Sequence, residues 1–172
     1  MRGGIILPRN CILCEFSYFF HTLNMVLVYK LSFLSFLLFL DGLTKFYAQT
    51  GVISFNFANF VYSKFSLNPG ISFNLFSNFK YFVIIFQVAI LVLAIKFFKL
   101  SLKKDHGFWL VICGGMGNII FRFLPGVDFN VVDFIAVKNL FICNLADIYI
   151  FLGIVYLLVN SLKRKSPVRG SF

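Results

Sequence analysis

The chain has 172 residues but only six carboxylates, and two of these stand where charge is costly. Asp133 interrupts an apolar run, Val131-Val132-Asp133-Phe134-Ile-Ala-Val. Asp147 opens another, three residues after Asn144. Asn118 and Arg122 close a third, Gly114-Gly-Met-Gly-Asn-Ile-Ile-Phe-Arg122. Two carboxylates brought together in a low-dielectric site cannot both ionise cheaply, so one proton is shared and one group acts as acid while the other acts as base. Such a pair can activate water for attack on a peptide carbonyl without a metal, a cofactor or a covalent intermediate. Other hydrolytic chemistry lacks its parts. His21 and His106 lie away from the cluster, and no zinc spacing exists. Cys11-x-x-Cys14 has no second pair, and the four cysteines make no disulfide framework.

Plainer roles fit the same residues. Asn144-Leu-Ala-Asp147 is also a helix N-cap with an acid at its third position. Asp133 could hold backbone amides, and Arg122 could anchor a helix end at an interface. Gly114, Gly115 and Gly117 read as close helix packing; no Lys-Ser/Thr follows to make them a phosphate loop. Asp41, Lys45, Asp133 and Asp147 could instead form an ion or proton pathway in a small non-enzymatic membrane protein. On residue types alone these alternatives stay open.

The elements that must carry the cluster are apolar. The chain is 60% hydrophobic and holds 26 Phe, well above the roughly 45–50% apolar content of soluble domains. The expected class is an all-α polytopic membrane protein. Helices are expected at about Val26–Tyr47, Tyr81–Phe98, Phe108–Leu124 and Leu145–Asn160, each near the roughly 20 residues that span a bilayer. Between the first two, Val52–Phe57 and Ile71-Ser-Phe-Asn-Leu alternate apolar and polar residues on either side of an Asn68-Pro-Gly turn. They predict a small β-rich element on the membrane surface. Residues 125–143 are expected to be a connection, with Asp128 a turn residue after Pro125-Gly126.

Net charge is +10, and the bases sit at the ends of apolar runs. Arg2, Arg9 and Lys30 precede the first helix; Lys96, Lys99, Lys103 and Lys104 lie between the second and third. Lys163, Arg164, Lys165 and Arg169 follow the fourth. That pattern puts both termini in the cytoplasm, and no nucleic-acid-binding signature accompanies it. Asp41, Lys45, Asn68, Asn118, Arg122, Asp133, Asn144 and Asp147 then all fall on the outer side. Asp41 and Lys45, spaced i,i+4, share a helix face and can pair. Three segments are expected: an extension over 1–24, untranslated or loosely ordered, with Met25 a more natural start; a four-helix domain over 25–162; and a basic cytoplasmic tail over 163–172.

Five short motifs in order resemble the bacterial lipoprotein signal peptidases, the signal peptidase II family. Asp41-Gly-Leu-Thr-Lys45 resembles its Asp-x-x-Ser/Thr-Lys. Asn68-Pro-Gly-Ile-Ser-Phe73 resembles its Asn-x-Gly-Ala-Ala-Phe, and Gly117-Asn118-x-x-x-Arg122 its Gly-Asn-x-x-Asp-Arg. Val131-Val-Asp133-Phe134 and Asn144-Leu-Ala-Asp147 resemble its Val-Val-Asp-Phe and Asn-x-Ala-Asp. The resemblance implies a multi-pass enzyme of the bacterial inner membrane, sensitive to globomycin and active at the periplasmic face. It would cut prolipoproteins before their diacylglyceryl-modified cysteine. Asp133 and Asp147 would be the catalytic pair, Asn118, Arg122 and Asn144 would orient them and the substrate, and Asp41, Lys45 and Asn68 would support them. Prolipoprotein substrates and membrane lipids are the expected partners of a monomer that needs no cofactor. The chain departs from the family pattern at Phe121, where an acid would stand, and at Pro69 and Ile71-Ser72, where small residues would.

Overall fold

The protein is described from a computed structural model over residues 12–70, 76, 78–99, 106–138 and 140–165. Four helices alternate with four strands: α1 Ile12–Gln49, β1 Asn56–Phe57, β2 Val61–Asn68, α2 Lys80–Lys99, α3 His106–Arg122, β3 Val131–Val137, β4 Phe141–Cys143 and α4 Leu145–Lys165. Two compact units are distinguished, Met1–Phe36 and Leu37–Phe172. The first carries the N-terminal part of α1; the sheet and the residues of the site described below belong to the second.

The helices lie where apolar runs predicted them, with one boundary well off. Helix α1 starts at Ile12 rather than near Val26. Residues 12–24 hold no Pro or Gly after Pro8, so nothing in their sequence stops a helix propagating through them. Apolar side chains point outward: Phe39 and Phe46 on α1, Ile85 and Leu93 on α2, Ile120 on α3, and Phe151, Leu158 and Leu162 on α4 are all exposed. Among the described residues, Val28–Gln49 and Leu145–Lys163 are helical stretches long and apolar enough to cross a membrane.

The β structure is larger than expected and differently placed. An antiparallel sheet runs β1-β2-β3-β4, so half its strands come from residues expected to be a plain connection. The expectation of β structure confined between the first two helices is corrected here. Strand β3 is paired on both edges and its first four residues are buried. A strand buried on both faces reads as a continuous apolar run, which hides its period of two. The expected strand at Val52–Phe57 shrinks to Asn56–Phe57. There the backbone turns through left-handed Ala58 and Asn59, with the Asn56 side chain bonded to Asn59. The alternation at Ile71-Ser-Phe-Asn-Leu lies outside the described residues.

Strand alternation sorts the side chains of β3. Val132 and Phe134 pack on one side of the sheet, in a core with Ala48, Phe121 and Val127. Val131 and Asp133 face the other way, into a cavity. Helices α3 and α4 approach through their glycines. A Cβ on Gly107 would stand 2.7 Å from the Gly153 carbonyl, and one on Gly114 would collide with the Ala146 carbonyl and Ile150. Gly114 is therefore a packing residue, as the sequence predicts, and Gly107, which the sequence did not single out, is another. Because the obstacle at Gly114 is backbone, Gly114→Val should destabilise the fold by ~1–3 kcal/mol. The check is a lowered thermal midpoint in detergent beside an unchanged Gly42→Ala control, since Gly42 has open space around it.

Candidate active site

Asn144 ends the β3–β4 hairpin and caps α4. Its Oδ1 accepts the Asp147 backbone N–H (3.1 Å), and the Asp147 carboxylate in turn accepts the Asn144 backbone N–H (3.2 Å). This is a reciprocal capping box, which satisfies amides left unpaired by the first helical turn. A backbone N–H can only donate, so the Asn144 amide is oriented: its Nδ2 must point away, and it donates to Asp133 Oδ1 at 2.7 Å.

The same logic fixes two further amides. Asn68, at the end of β2, accepts the Gly70 N–H on Oδ1 (2.9 Å) and donates from Nδ2 to Asp133 Oδ2 (2.9 Å). Asn118, on α3, accepts on Oδ1 from the Lys45 ammonium (2.9 Å) and donates from Nδ2 to Asp147 Oδ1 (2.9 Å). Each carboxylate thus receives two N–H groups: Asp133 from Asn68 and Asn144, Asp147 from Asn118 and the Asn144 backbone.

Lys45 is fully buried and bridges Asn118 to Asp41 Oδ2 (2.7 Å), itself 2% exposed. The other Asp41 oxygen accepts the Ala146 N–H (3.0 Å), another first-turn amide of α4. Gly117 makes room for this pair, since a Cβ there would lie 2.8 Å from Asp41 Oδ2. Phe121 packs its ring 5.2 Å from the Lys45 nitrogen. Where the family pattern carries an acid, this chain offers a cation the face of an aromatic ring.

Arg122 makes no hydrogen bond to either aspartate. It donates from Nη1 to the carbonyls of Asn68 (3.3 Å), Pro69 (3.4 Å) and Phe129 (2.8 Å), from Nη2 to that of Gly70, and from Nε to Gln87 Oε1 (3.1 Å). It therefore pins the turn that carries Asn68, together with Phe129, whose backbone is left-handed and whose ring lies against Tyr81 and Phe123. Asp128 lies in a turn, as expected, and its side chain pairs with Lys80 on the surface, away from the cluster.

Asp133 and Asp147 line one cavity of about 270 Å3 with Asn68, Asn118, Arg122 and Asn144. Its walls continue along α2, α3 and α4 as Ile90, Leu91, Ala94, Val111, Gly115, Ile150 and Ile154. Asp133 is 3% exposed. Burial, with the nearby Asp147 charge, pushes its carboxyl up to about 6 against the pull of its two amide partners. Among the described residues no cluster of His, Cys, Asp and Glu is arranged to hold a metal ion.

A family model described as signal peptidase (SPase) II matches residues 33–163. The chain belongs to the signal peptidase II family. The lipoprotein signal peptidase of Borrelia duttonii (strain Ly) is 32% identical over 160 residues, covering 81% of this chain and 92% of that one. That of Clostridioides difficile (strain 630) is 28% identical over 139 residues, covering 76% and 92%. Among solved structures, a bacterial membrane enzyme determined by the in meso method at 2.3 Å superposes with a TM-score of 0.70 at 25% identity, over 83% of this chain and 93% of that one. Membership makes this chain a signal peptidase and a membrane enzyme.

All eight residues singled out in the sequence fall within this connected network. Gln87, which lines the cavity and receives Arg122, was not among them. Its signal was present in the sequence: it is the lone polar residue between Tyr81 and Lys96 of an otherwise apolar helix. Removing Lys45 leaves Asp41 buried without its cation and frees the Asn118 amide to turn. Lys45→Met should cost ~3–5 kcal/mol of stability. Its thermal midpoint should fall well below that of the wild type, and Asp41→Asn/Lys45→Met should recover part of the loss.

Proposed function

We propose that this signal peptidase II removes the signal peptide from lipid-modified prolipoproteins as an aspartyl endopeptidase, cutting before the diacylglyceryl-cysteine of the lipobox, with Asp133 and Asp147 as its catalytic pair. The observation that carries the reading is the placement of two aspartates in one largely apolar cavity, each held by two N–H donors, of which three are asparagine amides oriented by an obligate donor behind them and the fourth is the Asn144 backbone N–H. One carboxyl is protonated and polarises the scissile carbonyl; the other takes a proton from the attacking water. The two titrate as a unit. Asn68, Asn118 and Asn144 hold the carboxylates, Asp41 and Lys45 hold Asn118 and the α4 N-terminus, and Arg122 holds the Asn68 turn.

In this reading all four helices span the bacterial inner membrane, both termini are cytoplasmic, and the sheet and the aspartates lie at the periplasmic face. Lys30 near the start of the apolar span Val28–Gln49, Lys96 and Lys99 at the end of α2 and Lys163 at the end of α4 support that orientation. The cavity walls running from the aspartates along α2, α3 and α4 would take an apolar signal helix. The same walls weigh against an ion pathway, because Ile90, Leu91, Ala94, Val111 and Ile154 offer no relay group beyond the aspartates.

Asp133→Asn and Asp147→Asn should each lower cleavage of a lipidated prolipoprotein by at least ~10²-fold while the protein still folds. Full activity in either variant would sink the assignment. The pH dependence has a definite sign. Asp133 is raised to about 6 with Asp147 charged beside it, so this is the loss of the shared proton. The value of kcat/KM should therefore fall as pH rises through about 6, and kcat should fall at a higher pH, once bound substrate has excluded more water. A pH profile flat from 5 to 8 on the log scale would contradict a shared-proton pair.

A further inference from the structure

Gln87 stands on the cavity wall contributed by α2, beside Ile90, Leu91 and Ala94. Its oxygen accepts from Arg122 Nε at 3.1 Å. An arginine Nε can only donate, so the Gln87 amide is oriented as firmly as the three asparagines are. The oxygen faces Arg122, and the NH2 group is left on the other side of the amide plane. Among the described residues nothing accepts from it. Gln87 is half-buried, and the cavity beside it is lined by Leu91, Ile119 and Ile90.

Two N–H donors on an apolar wall lose free energy for as long as they lack an acceptor. Water meets that need in the empty cavity but is expelled when an apolar substrate enters. A substrate that supplied a carbonyl at this point would bind in one register, and one lacking it would leave the donors unpaired. Each of the three asparagines already gives an N–H to Asp133 or Asp147, whereas both N–H groups of Gln87 are without an acceptor among the described residues.

We propose that Gln87 Nε2 donates a hydrogen bond to a carbonyl of the substrate, and that it is a specificity-determining residue which sets the depth at which the substrate stops beside Asp133 and Asp147. This rests on the reading of the cavity as the prolipoprotein site. The carbonyl is either a peptide carbonyl near the cut or an ester carbonyl of the diacylglyceryl group; both present the same acceptor. Arg122 links this contact to the pair, since it holds Gln87 with Nε and the Asn68 turn with its two terminal nitrogens.

The test uses the purified full chain in detergent and a diacylglyceryl-modified prolipopeptide. Gln87→Glu keeps an oxygen for Arg122 Nε but has no N–H to give; Gln87→Met keeps neither. Both should raise KM by about tenfold with kcat changed less than about twofold, the loss of one hydrogen bond in a desolvated site. Wild-type KM in Gln87→Glu, with a loss only in Gln87→Met, would overturn the proposal, because holding Arg122 would then be the whole role. The substrate arms identify the acceptor. An ether-linked dialkylglyceryl peptide lacks the ester carbonyls, and an alkene isostere next to the cut lacks one peptide carbonyl. On the analogue that lacks the true acceptor, wild type and Gln87→Glu should have equal KM. If the Gln87→Glu penalty persists undiminished on both, it reflects the added charge, and the proposal fails. If the wild type cleaves no lipidated substrate at all, the peptidase reading falls first and this one with it.

Discussion

An ammonium and a backbone N–H can donate hydrogen bonds but cannot accept them. The cluster depends on that asymmetry. Lys45 forces the oxygen of Asn118 toward itself, the Gly70 amide does the same to Asn68, and the Asp147 amide does the same to Asn144. Each asparagine is left with one direction in which to give its N–H groups, and in each case an aspartate lies there. Two carboxylates are thereby held together in one largely apolar cavity, and among the described residues no cation pairs with either one. A direct ion pair would hold them too, but it would also pull both fully into the charged form and remove the shared proton on which acid–base work depends.

The fold serves this wiring at each step. Strand alternation turns Asp133 into the cavity while Val132 and Phe134 anchor the strand in the core. The β3–β4 hairpin delivers Asn144 at the start of α4, where the capping box fixes Asp147. Asp41 reaches across from α1 to a first-turn amide of α4, in space that Gly117 leaves open. Capping and catalysis were alternatives for Asp147 in the sequence; the structure shows the cap, and the same carboxylate lines the cavity with Asp133, so the cap does not exclude the proposed catalytic role. Phe121 stands where the family pattern carries an acid, and its ring lies 5.2 Å from the Lys45 nitrogen, which Asp41 already pairs.

Much of this is legible in the sequence for physical reasons. Charges are rare in apolar runs, so Asp41, Lys45, Arg122, Asp133 and Asp147 announce themselves. Asn68 and Asn144 stand at a turn and a cap, where asparagine is expected. What is not legible is pairing across the chain. Nothing in Val131–Val137 tells a buried strand from a hydrophobic connection until β2 and β4 lie on either side of it. Arg122 reads as an interface anchor, and only the three-dimensional turn at Asn68–Gly70 reveals it as a clamp on backbone carbonyls. Gln87 is visible as a lone polar residue, but its use depends on which face of α2 meets α3.

The proposed catalysis requires Asp133 and Asp147 to be one electrostatic unit, and infrared titration of the protonated carboxyl stretch tests this most directly. In the wild type one protonated carboxyl should be lost near pH 6, where burial and the Asp147 charge hold Asp133. Asp147→Asn removes that charge, so the band should then disappear at a lower pH. The same titration in both proteins would mean that the two carboxylates do not sense each other, and would contradict the account.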